Sequence, residues 1–221
     1  MAAGHTANLG ARLGLQARQS YRVANTTVFI SQGSVLDFEG DAIVNAANTG
    51  CLGGGGLDGA ISQAGGPELL AARQALPELD RGVRCPTGEA RITVGGRLRN
   101  KWCIHAVGPN FIYHRSREGD ARDEFAKEDG QLKNAYRHVL QLANQEGVQT
   151  LATCLLSSGI FRGDRGLDAV ITMACESILT TLSESTTSVK EMHISAFTNE
   201  ETSSLLAAAD KANVIVVANL P

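Results

Sequence analysis

An asparagine, a run of four glycines and an aspartate stand close together in Asn48-Thr49-Gly50-Cys51-Leu52-Gly53-Gly54-Gly55-Gly56-Leu57-Asp58. Glycines let a backbone approach a ligand closely and turn several N–H groups the same way. The stretch before them, Asp41–Ala46, reads as a buried strand, and the stretch after them starts a helix. A helix N-terminus adds positive dipole, so the expected guest is an anion, and a phosphate first among anions. Asp58 is the odd member. A carboxylate beside a phosphate cradle is repelled by the ligand unless it does chemistry or caps the helix, and the sequence leaves both roles open.

A second stretch of this kind, Ser157-Ser158-Gly159-Ile160-Phe161, follows the apolar segment Thr150–Leu156. Both stretches come directly after a predicted strand, and open α/β sheets collect ligands beyond the carboxyl ends of strands. The two can therefore line one cleft. Consecutive glycines make a costly ordinary turn, because each loses much backbone freedom on folding; that cost favours a ligand-binding role. Two other chemistry-bearing residues carry less. His105 sits inside the apolar run Lys101–Val107 and reads as structural. Cys51 borders the glycines with no base near it in sequence, which disfavours a nucleophilic thiol.

The elements that must position these residues alternate. Strands are predicted over Thr27–Ile30, Asp41–Ala46, Ala90–Val94, Lys101–Val107, Thr150–Leu156, Glu191–Phe197 and Asn213–Ala218. Helices are predicted over Leu57–Ala64, from Pro67 through Ala75, and over Leu132–Gln145, Asp168–Leu182 and Glu200–Lys211. Leu132, Tyr136, Val139, Leu140 and Ala143 share a face. Tyr113–Gly130 is charged and poor in apolar residues, and reads as an exposed insertion. Such alternation means an α/β layer sandwich. One domain is expected over residues 24–221, behind an N-terminal extension over residues 1–23.

The 221 residues suffice for one domain with a sizeable core, and 43% hydrophobic with 19% charged residues describe a soluble globular chain. A net charge of −3 advertises no nucleic acid binding. The five cysteines are scattered, odd in number and without a CxxC pair. That argues against a disulfide framework or zinc site and for a reducing, intracellular compartment. No apolar run approaches the roughly 20 residues of a membrane span. Nothing signals an oligomer, so a monomer is expected. No acid precedes Asp37, whereas Arg12, Arg18 and Arg22 stand there with Leu9, Leu13 and Leu15. This start reads either as a mitochondrial transit peptide or as a helical arm packed on the domain. In the second case the compartment is cytoplasmic or nuclear.

Taken in order, Gly33–Gly59, Thr87-Gly88-Glu89-Ala90, Ile104-His105 with Val107-Gly108-Pro109, and Ser157–Phe161 resemble a macro domain. The match is closest to the MacroD-type branch, whose glycine run is followed by an apolar residue and Asp. The resemblance runs through most of the chain beyond Ala24. It implies a three-layer α/β/α sandwich with a mixed, mostly parallel central sheet and a cleft for ADP-ribose. MacroD-type members remove mono-ADP-ribose from acidic side chains of proteins and deacetylate O-acetyl-ADP-ribose. The resemblance implies these activities here, without metal or cofactor, and implies ADP-ribose and mono-ADP-ribosylated proteins as partners. A non-catalytic reader of ADP-ribose and a phosphatase acting on ADP-ribose 1″-phosphate are the competing readings, and Asp58 favours the hydrolase.

Carried over residue by residue, the resemblance makes Asn48 a hydrogen-bonding partner of the distal ribose. Gly54, Gly55, Gly56 and Leu57 become the first phosphate loop, and Ser158, Gly159, Ile160 and Phe161 the second. Asp58 matches the catalytic acid and, with Asn48 beside it, orients or deprotonates the water that attacks C1″. Phe197 matches an aromatic on the adenine side, with a plain core role nearly as well supported, and Asn199 lies close by. Asn45 is expected to brace the first loop from inside.

Two positions depart from the pattern. Ser34-Val35 stand where most macro domains have Asp-Ile, whose acid accepts from the adenine amino group. Ser34 is shorter and uncharged and accepts through its hydroxyl, directly or through water; Val35 keeps the apolar contact. Arg162 stands where the branch has glycine, and reaches either a phosphate or modified protein at the cleft rim, or water. The expected consequence of Ser34 is weaker discrimination for adenine. Calorimetry on Ser34→Asp checks it: affinity for ADP-ribose rises, and an unchanged affinity counts against this role of Ser34.

Overall fold

Strands and helices alternate through the residues that the computed structural model describes, 14–113 and 125–218. The strands are β1 (Gln16–Val23), β2 (Thr26–Gln32), β3 (Ala42–Ala46), β4 (Ala90–Val94), β5 (Trp102–Ala106), β6 (Thr150–Cys154) and β7 (Glu191–Ala196). The helices are α1 (Gly56–Gln74), α2 (Ala126–Gln145), α3 (Leu167–Glu184) and α4 (Asn199–Ala218). One seven-stranded sheet runs in the order β1-β2-β7-β6-β3-β5-β4. Its inner pairs are parallel, and the edge strands β1 and β4 are antiparallel to their neighbours. Helices α2, α3 and α4 pack side by side, and α1 rests on β3 and β4. This is the expected three-layer α/β/α sandwich with a mixed, mostly parallel sheet.

The local chemistry explains the elements. β3 and β6 are short apolar runs, buried along nearly their whole length, as inner parallel strands must be. The stripe expected on α2 is the buried one, Leu132, Tyr136, Val139, Leu140 and Ala143 included. The Tyr136 hydroxyl accepts the Leu156 N–H at 2.7 Å and so ties α2 to the chain leaving β6. In α1 the two predicted helices run on as one element, broken at Gly66, whose φ of 66° and ψ of −166° are non-helical, with Pro67 next.

β3 and β6 pair only at Ala42↔Leu151 and Ile43↔Ala152. β3 and β5, by contrast, stay paired from Ala42 to Ala46. Beyond Ile43 no further β3–β6 pairs form; α1 follows β3 and α3 follows β6.

Two expectations need correcting. The domain does not start at residue 24: Gln16–Val23, assigned to an extension, form β1. Its side chains alternate between exposed and half-buried, so no apolar pattern marks it; ladder hydrogen bonds to β2 hold it. The segment Asn213–Ala218, expected as a last strand, continues α4. Its β-branched residues carry only a weak strand preference, and extending a formed helix fixes one residue per new hydrogen bond. The transit-peptide or arm expectation over residues 1–13 and most of the insertion, 114–124, lie outside the described residues. The insertion's end, Ala126–Gly130, is helical, within α2.

Two histidines are sealed inside this sheet. Burial, with the Arg73 charge behind it, lowers the pKa of His105 from 6.5 to about 3; burial lowers that of His193 to about 4. Between those values and 6.5 the unfolded chain holds more protons than the fold, so stability is complete above 6.5 and is lost as the pH falls. Urea unfolding followed from pH 7 to pH 4.5 is expected to show this as a loss of about 1.4 kcal/mol per pH unit for each histidine. His193→Phe flattens the slope.

Candidate functional site

Where the β3–β6 ladder ends, a cavity of about 860 Å³ opens at the carboxyl ends of the two strands. Ala46 and Ala47 leaving β3, and Cys154 and Leu155 leaving β6, form its base. Gly54, Gly55, Gly56 and Leu57 line one side, and Ser157, Ser158, Gly159, Ile160 and Phe161 the other. Gly33, Ser34, Val35, Ser195 and Phe197 also line it. Each loop contains one non-glycine residue in the left-handed region, Cys51 at φ 54° and Ser157 at φ 57°. Such residues persist where their surroundings over-determine them. Cys51 N–H donates to Asn48 Oδ1 at 3.2 Å, and Ser157 Oγ donates to the Pro109 carbonyl at 2.7 Å.

Asp58 stands in the first turn of α1 and is only 3% exposed, yet it lines the cavity. Its Oδ1 accepts from the Arg73 guanidinium at 2.8 Å and from Asn45 Nδ2 at 2.8 Å. Its Oδ2 is buried without a hydrogen-bond partner. A Cβ on Gly54 would come within 3.0 Å of that oxygen, so the missing side chain there leaves it its space. The helix dipole favours an anion at this end of α1. Asp58 thus presents one fixed and one unclaimed oxygen.

A buried chain of hydrogen bonds stands behind it. Asn45 Nδ2 also reaches His105 Nδ1 at 3.1 Å, and His105 Nε2 meets Thr93 Oγ1 at 2.9 Å. Thr93 donates its own proton to the Val94 carbonyl at 3.0 Å. His105 therefore carries its proton on Nε2 and accepts at Nδ1, the neutral form that its lowered pKa requires. It is fully buried and does not line the cavity, in keeping with a structural role.

The structure brings nearly all the sequence-predicted residues to this one cavity: Ser34, Val35, Asn48, Gly54, Gly55, Gly56, Leu57, Asp58, Ser158, Gly159, Ile160, Phe161 and Phe197. Asn199 is the exception. It accepts from Gln32 Nε2 at 2.8 Å and joins the end of β2 to the start of α4. Asn48 also makes turn bonds, donating to the Gly53 carbonyl at 2.9 Å and accepting from Gly50 N–H at 3.1 Å. Ser34 Oγ accepts from Leu36 N–H at 3.2 Å and caps a short helical turn over Val35–Asp37. Phe197 is 73% exposed, so a core role is excluded. Asn45 braces the acid, where the sequence reading had it bracing the loop. Arg162 lies outside the cavity lining and donates to the Arg165 carbonyl at 3.1 Å. Cys51 is buried among Ala47, Cys85 and Val107.

Sequence reasoning missed two residues. Arg73 interrupts the buried stripe of α1, Ile61, Gly65 and Leu69, and a cation at a core position was the available signal. Glu201 forms a capping box with Thr198, accepting from Thr198 N–H at 3.0 Å while Thr198 Oγ1 accepts from Glu201 N–H at 3.1 Å. Its other oxygen accepts from Ser158 at 3.1 Å and so fastens the second loop to α4.

Comparison with known proteins agrees with this arrangement. The macro domain model matches residues 44–173. A macro domain-containing protein of Xanthomonas campestris is 46% identical over 130 residues, which span 59% of this chain and 67% of that protein. Another, from Streptomyces coelicolor, is 37% identical over 172 residues, spanning 78% and 92%. Among solved structures, an Oceanobacillus iheyensis macrodomain with ADP superposes with a TM-score of 0.73 at 28% identity, covering 91% of this chain and 97% of that one. A Trypanosoma brucei macrodomain in complex with ADP-ribose gives 0.64 at 31% identity, covering 80% and 67%. With its own sheet, cavity and paired glycine loops in agreement with these matches, the chain belongs to the macro domain family.

Proposed function

We propose that this macro domain binds ADP-ribose in the cavity and hydrolyses the ester that joins its distal ribose to an acidic side chain of a modified protein. O-acetyl-ADP-ribose, an ester of the same sugar, is the second substrate. This is the chemistry of the MacroD-type branch, which the chain resembles in the Leu57-Asp58 pair after its glycines. One observation carries the reading: a buried carboxylate in the cavity wall with one oxygen held and the other unclaimed. A reader of ADP-ribose has no use for that arrangement, since burying a charge that meets a polyanion only weakens binding.

The ligand's parts match the cavity's parts. The adenine belongs beside the exposed ring of Phe197 and the apolar Val35, with the Ser34 hydroxyl at its edge. The diphosphate belongs between the two glycine loops, where backbone N–H groups and the start of α1 favour anions. The distal ribose then faces Asp58 and Asn48. Asn48 has one uncommitted amide hydrogen for a ribose hydroxyl, its other hydrogen and its oxygen being used in the turn. Asp58 Oδ2 accepts a proton from a water while the water oxygen bonds to C1″ and the bond from C1″ to the protein carboxylate breaks. The carboxylate leaves as an anion and needs no proton, so placing the water matters more than strong basicity. The products are ADP-ribose and the unmodified acidic side chain, and a ligand phosphate can share the released proton.

Release of label from an ester-linked ADP-ribosylated protein tests this. Asp58→Ala is expected to keep ADP-ribose binding and to lose turnover by about a hundredfold or more; unchanged release removes Asp58 from the mechanism. ADP-ribose 1″-phosphate assayed in parallel identifies a phosphatase. The glycines separate binding from chemistry. A methyl at Gly54 would crowd Asp58 Oδ2, whereas one at Gly55 meets no protein atom within 4 Å and takes ligand space. Gly54→Ala should therefore lower kcat by about tenfold or more, and Gly55→Ala should chiefly raise Kd; equal effects on both constants count against this division.

A further inference from the structure

We infer that Arg73 is a positioning residue for the reaction, one that turns the Asp58 carboxylate and ties it to the first glycine loop; this rests on the catalytic reading of the cavity. The guanidinium is 1% exposed and spends its donors on three acceptors. It donates to Asp58 Oδ1 at 2.8 Å and to Ser62 Oγ at 2.8 Å, and its Nε donates to the carbonyl of Cys51. Ser62 in turn donates to the backbone carbonyl of Asp58 at 2.7 Å. One planar fork thus grips the acid by its side chain, by its backbone through Ser62, and by the left-handed residue that leads into the glycines.

Packing does not call for an arginine here. The neighbouring positions on the same stripe, Ile61 and Leu69, are filled by aliphatic side chains, and an aliphatic residue would avoid desolvating a cation. The arginine instead decides which oxygen of Asp58 is free. With Arg73 and Asn45 both on Oδ1, the carboxylate plane is held and Oδ2 is left, buried, with no protein group bonded to it. Without the guanidinium the carboxylate turns to satisfy both oxygens from the protein, and the water loses its acceptor. The Cys51 tether makes the loop and the acid one unit, so a ligand seated in the glycines meets the carboxylate at a set distance. Cys51 N–H remains held by Asn48, so the loop keeps its shape for binding when the tether goes. A lysine brings one ammonium to this place and cannot serve three acceptors in a fixed plane.

The test uses Arg73→Lys and Arg73→Met, each alone and combined with Asp58→Ala, with Kd for ADP-ribose by calorimetry, kcat by label release and thermal melting. In Arg73→Lys, kcat is expected to fall by about tenfold or more while Kd changes by less than about threefold. In the Asp58→Ala background the same change is expected to remove no further turnover, because the two residues act as one unit. A residue that merely holds the fold together would lower binding, turnover and melting temperature in step, and would subtract again from Asp58→Ala; either result overturns the inference. Where Arg73→Met fails to fold, Arg73→Lys decides alone. Wild-type protein that binds ADP-ribose and releases no label overturns the catalytic reading and this inference with it, and is recognised before any Arg73 variant is made.

Discussion

The side-by-side placement of β3 and β6 in the middle of the sheet is the constraint on which the rest depends. Their ladder pairs only Ala42 with Leu151 and Ile43 with Ala152, and past it both strand ends, Ala46 and Cys154, line the cavity. The two connections that leave those strands also line this space, Gly54–Leu57 after β3 and Ser157–Phe161 after β6. Both glycine-bearing loops and the first turn of α1 are placed by those two strand ends.

The cost of this arrangement is concentrated in a few residues. Cys51 and Ser157 hold backbone conformations that cost about 1–3 kcal/mol each, and Asp58 and Arg73 are both taken out of water, at several kcal/mol per ion before pairing. These costs are offset locally. Asn48 and Pro109 hold the strained residues, and the buried pair with its Asn45 and Ser62 bonds satisfies most of the desolvated polar atoms. What remains unsatisfied is Asp58 Oδ2, together with Asn45 Oδ1. A fold optimised for stability alone would close those gaps. Their survival beside a cavity is what a preorganised site looks like from the side of energetics.

The glycine loops, the acid after them and the strands that carry them were legible in the sequence, because each is local. A run of glycines, a helix start and a short apolar strand are patterns over a few residues. What was illegible was relational. Arg73 acts through a residue fifteen positions away in the same kinked helix, and nothing local tells a core arginine from a misjudged surface one. Asn45 was expected to brace the loop and braces the acid, a matter of which side of β3 faces α1. β1 has no apolar alternation because an edge strand with polar residues on both faces is held by its backbone. The end of α4 reads as a strand by propensity and becomes helix by propagation.

The electrostatics of the cavity lead one step further. Among the described residues that line it are two carboxylates, Asp58 and Glu201, and no lysine, arginine or histidine. A diphosphate entering this space meets no compensating side-chain cation, so its charge must be carried by backbone N–H groups and the start of α1. Those donors are fixed in the fold and cost little to organise, but they act only at short range. Recognition then depends on shape and register more than on long-range attraction, in a chain whose net charge of −3 gives no steering toward an anion. The same absence suits the proposed hydrolysis. A cation beside Asp58 Oδ2 would claim the oxygen that no protein group holds, whereas Arg73, itself buried, supplies its positive charge through Oδ1.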